Sequence, residues 1–353
     1  MLLPSPLLPP RRERPSVALA DALEDAFHDP FDDAFDDAGL IAARAAMRKG
    51  RWQAVRALLQ RTGDDWDRRG HCLCILARES RTPAWARDWL AAEPRSADAA
   101  ALLALALVRH TLSGTSEPAR ARAACRAAAT LAPTDPTPWL GLLQLARHLG
   151  TDEETVEAFA EVCHRHPEHH HAHHLMTARL AEQRPEHDAE PDHEAYEFAG
   201  RTAARVPADS PLVILPVVAH AERFRVLAAA GLLPADPAAS GHWSGPRSGQ
   251  VLRAAFDWWL EWEHDEHPRR HVDLNFLAHA TFCAGRSAEA AAVFQRIGRH
   301  LTPRPWCYPD RDPCSAFHTA RDRAFVAARA ACAGAFRSST RPAAVHERAR
   351  SRP

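Results

Sequence analysis

Apolar residues return every three or four positions along most of the chain, as in Ala54-Val55-x-Ala57-Leu58-Leu59, Trp139-x2-Leu142-Leu143 and Leu274-x2-Leu277-Ala278. That period places them on one face of an α-helix, and the strict alternation of a half-buried strand is scarce. Prolines punctuate the pattern. Pro94, Pro133, Pro167 and Pro207 each follow an amphipathic segment, and their separations are 39, 34 and 40 residues. The two longer intervals contain loop-forming inserts at 113–118 and 184–188. The spacing predicts pairs of helices, each pair ended by a proline that cannot continue the helix before it.

Composition narrows the choice further. Ala fills about a fifth of the 353 residues and Gly only 15, a balance that favours helix. Hydrophobic residues make up 46% and charged residues 25%, as in a globular protein. With 44 Lys+Arg against 45 Asp+Glu the formal net charge is -1, so nucleic acid is not expected as a partner. No apolar run approaches the ~20 residues of a membrane span, so no membrane association is expected. Lys49 is the sole lysine, an Arg-for-Lys bias of GC-rich bacterial coding that says little about function. The 8 cysteines are too sparse for a disulfide scaffold. The N-terminus places its charge after the apolar residues and interrupts them with prolines, unlike a secretory signal. A cytoplasmic, reduced protein is expected.

The best single unit spans 134–167. Trp139-x2-Leu142-Leu143 opens its first helix, Gly150 supplies a positive-φ turn, Phe159 packs from the second helix and Pro167 closes it. A second unit, 273–303, has Leu274-x2-Leu277-Ala278, Gly285-Arg286 and Ala290-x3-Phe294, and a weaker one surrounds Gly50. These segments resemble tetratricopeptide repeats, with Leu143, Ala146 and Thr155 in slots where that pattern has Gly, Tyr and Ala. The whole chain is also similar to a family of tetratricopeptide-like proteins from GC-rich bacteria. The stretches that carry this likeness are Asp65-Trp66-Asp67-Arg68-Arg69-Gly70-His71, Asp135-Pro136-Thr137-Pro138-Trp139, His242-Trp243-Ser244-Gly245-Pro246 and Val272-Asp273-Leu274-Asn275. The family brings no activity with it. The resemblance implies an all-α fold, a right-handed superhelix (solenoid) of antiparallel helix pairs with an extended concave surface. The expected organisation is a flexible acidic and Pro-rich leader at 1–37, a helical array at 38–230, a Pro/Gly-rich break at 231–250, a C-terminal helical subdomain at 251–336 and a disordered Arg-rich tail at 337–353.

Chemistry-bearing clusters are few. The densest is Cys163-His164-Arg165-His166-Pro167-Glu168-His169-His170-His171-Ala172-His173-His174. A helix starting after Pro167 would put His169 with His173, and His170 with His174, at i,i+4, a geometry that can hold two imidazoles on one divalent cation. His187, Asp188, Asp192, His193 and Glu194 are candidate further ligands. The plainer expectation is a solvated, His-rich turn. Cys307-x6-Cys314-x3-His318 is spaced more widely than structural zinc sites, and phosphate loops, nucleophile elbows and H-E-x-x-H are absent. Trp258 and Trp262 share a helix face while Trp259 is rotated by about 100°, so at least one of the three can line a groove. Phe27, Phe31 and Phe35 stand in an acidic segment of the kind that docks into an Arg-bearing groove.

These features predict a non-catalytic protein-protein interaction scaffold with no cofactor. Its partner would be another protein or peptide, bound on the concave face through Gln144, Arg147, His148, Asn275, His279 and Trp259. The first alternative is a metal-binding protein or metal-dependent enzyme that uses His169, His170, His173 and His174. A further alternative is pH-sensitive binding through the 22 histidines.

Overall fold

The computed structural model describes residues 31, 33–183, 193–262 and 267–339, with side chains as far as Ala331. The chain is all-α: 72% is helical, and there is no strand among the described residues. They divide into two compact units, one ending at Met176 and the other beginning at Thr177. No described helix is long and apolar enough to cross a membrane. The leader up to residue 30 and the tail beyond 339 lie outside the described residues.

The first unit contains α1 (Ala38–Arg48), α2 (Gln53–Thr62), α3 (Trp66–Leu76), α4 (Thr82–Ala92), α5 (Ala97–Leu112), α6 (Pro118–Leu131), α7 (Thr137–Leu149) and α8 (Asp152–Arg165); α9 (His170–Glu182) contributes residues to both units. Short links make successive helices antiparallel neighbours. Their starts carry local caps. Asp37, Asp65 and Ser96 accept from Leu40 N, Arg68 N and Ala99 N, and Thr151 with Glu154 forms a reciprocal capping box. Their ends obey the prolines. α4, α6 and α8 each stop two residues before Pro94, Pro133 or Pro167, and the residues just before those prolines, Glu93, Ala132 and His166, share one extended conformation (φ/ψ -133/80, -133/81 and -145/93). A proline forces that shape on the residue preceding it.

Gly150 corrects one expectation. Its φ is -113 and its ψ -172, so no left-handed turn is involved. Glycine is needed for space, because a Cβ would stand 2.7 Å from Ala146 Cα and 2.4 Å from Glu154 Oε2. Gly141 is a second close approach, where a Cβ would meet Leu105 Cδ2 at 3.0 Å and Cys125 Sγ at 3.1 Å. α7 therefore nears α5 two residues earlier than the tetratricopeptide glycine slot at Leu143 suggests.

α3 packs on both α5 and α7. Buried Arg69 fixes this arrangement, with Nη2 2.5 Å from Asp98 Oδ1 at the start of α5 and Nε 2.9 Å from Asp135 Oδ2 just before α7. Asp135 in turn accepts Thr137 N at 2.8 Å. Before α1, the acidic segment is tied to its own unit. Phe35 stacks on His71 with ring centroids 5.8 Å apart, and Asp33 pairs with Arg78 at 2.5 Å. Phe35 and Asp36 hold φ of 47 and 66 there, a region costly for side-chain-bearing residues.

The second unit contains α10 (Glu194–Ala203), a 3-10 turn (Pro211–Ile214), α11 (Leu215–Ala229), α12 (Pro246–Trp262), α13 (Arg270–Cys283), α14 (Ser287–Ile297), the short α15 (Pro303–Trp306) and α16 (Pro313–Ser339). Here Gly285 is left-handed, φ 73, and lets α14 fold back on α13, with Ala290 and Phe294 buried between them. α13 is buried nearly all round, against α11, α12, α14, α15 and α16. α11 is buried too, and its Glu222 accepts the Tyr308 hydroxyl at 2.5 Å and Arg225 Nε at 2.7 Å. Burial and Glu222 push the Tyr308 hydroxyl well above its ordinary value, so it remains a donor.

Candidate functional site

The histidine cluster is buried rather than solvated. His169, His170, His173 and His174 are 1%, 0%, 6% and 7% exposed. Asp67 explains part of this, since its carboxylate accepts His170 N at 3.0 Å, stands 3.0 Å from His166 Nε2, and so ties α3 to the start of α9. His169 Nδ1 accepts Ala172 N at 3.4 Å, and His173 Nδ1 lies 3.0 Å from His169 O. Burial pushes the His169 ring down to about 4 and His173 below its usual value, whereas the Asp67 hydrogen bond raises His166. The two expected i,i+4 pairs therefore differ. His169 and His173 serve the helix start, while the rings of His170 and His174 face each other at 4.2 Å. Of the further ligand candidates, His187, Asp188 and Asp192 lie outside the described residues. His193 caps α10: its Nδ1 accepts Ala195 N at 3.2 Å and its Nε2 lies 3.0 Å from Gln183 O.

The expected partner-binding residues also separate. His148 is exposed, Gln144 is half-buried with Nε2 3.8 Å from Cys74 Sγ on α3, and Arg147 is 4% exposed. The inner face of α7 is thus turned onto α3. Asn275 and His279 are 0% and 1% exposed, inside the second unit instead of facing outward. Asn275 spends its amide fully: Nδ2 donates to His271 O and His300 O at 2.7 and 2.9 Å, and Oδ1 accepts Trp306 Nε1 and Thr302 N at 2.8 and 3.4 Å. His279 stands between Trp243 and Trp306. Burial pushes it down to about 3, as it does His220 and His271. Cys72 and Cys125 are pushed up to about 12 by burial and Cys163 to about 11, so these thiols stay protonated.

Trp259 leads to a different surface. It is 6% exposed and, with Trp258 and Trp262, forms one wall of a solvent-open groove of about 390 Å³. Pro211 and Ile214 of the 3-10 turn form another wall, and α13 closes the floor with Leu274 and Leu277 beside Arg270, Asp273 and His267. Local chemistry explains the assembly. Ser210 Oγ caps the 3-10 turn at Leu212 N, and Trp258 Nε1 donates to Ala208 O at 2.8 Å, fastening α12 to the chain that enters the turn. His267 Nδ1 accepts Arg269 N at 3.2 Å, which leaves the ring proton on Nε2. The helical wheel called for at least one of the three tryptophans at a groove, and all three line it. Compared with known proteins, the chain matches no family model, no curated protein and no solved structure.

Proposed function

We propose that this chain is a non-catalytic interaction protein that holds a segment of another protein in the groove of Trp258, Trp259 and Trp262. The observation that carries this reading is the groove itself: an apolar, solvent-open space walled by three aromatic side chains of the type that anchors partners. The chemistry-bearing residues elsewhere support it, because His169, His173, His193 and Asn275 commit polar atoms to helix ends and packing. In this reading the helix pairs are tetratricopeptide-like repeats, wound as a right-handed superhelix within the first unit, in a reduced cytoplasmic protein. The binding surface moves from the concave face to the groove because Gln144 and Arg147 are turned inward. Panning a displayed peptide library against the full chain tests it. Enriched peptides should lose binding to Trp262→Ala, and peptides that bind that variant equally well would refute the groove.

A second reading rests on the buried His170–His174 ring pair, which offers two imidazoles to a divalent transition metal. Calorimetric titration with Zn²⁺ should then show one site that His170→Ala and His174→Ala each abolish; heat unchanged in both variants would dismiss it.

A further inference from the structure

Along α7, Trp139, Leu142, Ala146 and Leu149 follow one another at intervals of three, four and three residues, the spacing of a helical seam. Gln144, which is turned onto α3, lies on the opposite face of the helix. Trp139 and Leu142 are only half-buried and Leu149 is 50% exposed. Trp139, Leu142 and Ala146 floor a furrow whose walls are α6 and α8, both antiparallel to α7 and packed on it. The walls carry opposite charge. Arg122 of α6 meets Glu154 of α8 at 3.5 Å and bridges the furrow near one end, with Glu154 also spent on the capping box. One turn further along the two walls stand Arg126 and Glu157. Both are exposed, and neither side chain forms a hydrogen bond or an ion pair among the described residues. Toward the other end Arg165 lies over the Trp139 ring, 5.0 Å from its centroid.

Independently of the tryptophan groove, we infer that this furrow docks a helix of another protein, with an apolar heptad stripe edged by acidic residues on one flank and basic residues on the other. The stripe packs on Leu142, Ala146 and Leu149, the acidic flank faces Arg126 and the basic flank faces Glu157. The floor repeats with the period of a helix seam, and its span from 139 to 149 is about 15 Å, roughly three helical turns. An extended segment fits less well, because every second side chain would point away from the floor and its charges would miss the walls. The walls also select against other helices. Flanks of a single sign would bring like charges against either Arg126 or Glu157, which lowers affinity.

Fluorescence polarisation with the full chain tests the inference, using three labelled synthetic helices of three heptads with Leu at the seam positions. Their flanks carry Glu on one side and Arg on the other, Glu on both, or Arg on both, and each is kept at nanomolar concentration, below self-association. At low salt the Glu/Arg helix should bind at least about threefold tighter than either single-sign helix, and the gap should close in about 0.5 M NaCl. Arg126→Glu should transfer the preference to the Arg-only helix and Glu157→Lys to the Glu-only helix, a switch that loss of fold cannot imitate. Leu149→Ser should weaken all three helices, and Trp262→Ala should weaken none. Equal binding of the three helices, preferences that do not switch in the charge variants, or binding indifferent to Leu149→Ser would each overturn the inference. Binding lost in Trp262→Ala would move these helices to the tryptophan groove and overturn it too, as would failure of all three to bind at about 100 µM protein.

Discussion

Two residues of the second unit show that equal burial does not mean equal contribution. Asn275 is 0% exposed and satisfies both ends of its amide with four partners drawn from α13, the loop after α14, and Trp306. Asn275→Leu would leave the Trp306 N–H and the His300 carbonyl buried and unanswered, at about 1–3 kcal/mol for each such group. A loss of several kcal/mol in urea unfolding is therefore expected, and a loss under about 1 kcal/mol would contradict the network's role. His220 is the opposite case. It is 5% exposed, and neither ring nitrogen has a hydrogen-bond partner among the described residues. Exchanging it for Leu removes buried polar atoms that nothing answers, so His220→Leu should be neutral or stabilising at pH 7 in the same measurement. A reversed order of the two variants would mean that contact inventories misjudge this interior.

At the scale of elements, the first unit is set by ties between distant helix ends. Asp67 supports the start of α9 through His170 N and partners His166, so Asp67→Ala should cost about 1–2 kcal/mol, the range of a lost cap. It should also let the His166 titration fall back toward an ordinary imidazole in NMR; an unmoved His166 would break the link. Turns make a complementary prediction. A Cβ at Gly150 would press on Ala146 backbone, which cannot rotate away, so Gly150→Ala should cost about 1–3 kcal/mol by thermal melting. Gly285→Ala has open space and faces only the φ of 73, so about 1–2 kcal/mol is expected from backbone strain alone. Gly285 was readable from the sequence because a Gly-Arg pair between two apolar runs announces a turn. The cause at Gly150 was not, because a steric requirement belongs to the folded turn and leaves no separate mark on the residue type.

Across the whole molecule, what the sequence made legible was local. Helix periodicity, proline stops and the Ala290/Phe294 packing all act within a few turns of chain. Arg69 joins Asp98 and Asp135 across 29 and 66 positions, and the groove joins Pro211 to Leu277, so neither leaves a spacing to read. Burial of the histidines was hidden for the same reason: a polar run looks solvated until α3 is laid against it. That burial has a consequence for pH. His169 is held down to about 4, and His220, His271 and His279 to about 3, so all four are neutral in the fold and titrate near 6.5 when unfolded. Their stabilising effect is present above pH 6.5 and is lost as pH falls from there toward 3–4. His166, raised by Asp67, acts in the other direction, adding stability below its raised value, but it is one group against these four and the likewise depressed His173. Each depressed histidine steepens the acid limb by up to about 1.4 kcal/mol per pH unit, so together they can remove about 5 kcal/mol in one unit. That is comparable with the whole stability of an ordinary domain, about 5–15 kcal/mol. The protein should therefore lose its helical circular dichroism above pH 4, and His220→Leu should move that midpoint to lower pH because one proton fewer is taken up on unfolding. If the acid midpoint is the same in both proteins, His220 is not held neutral, and its environment is wetter than the aromatic rings around it imply.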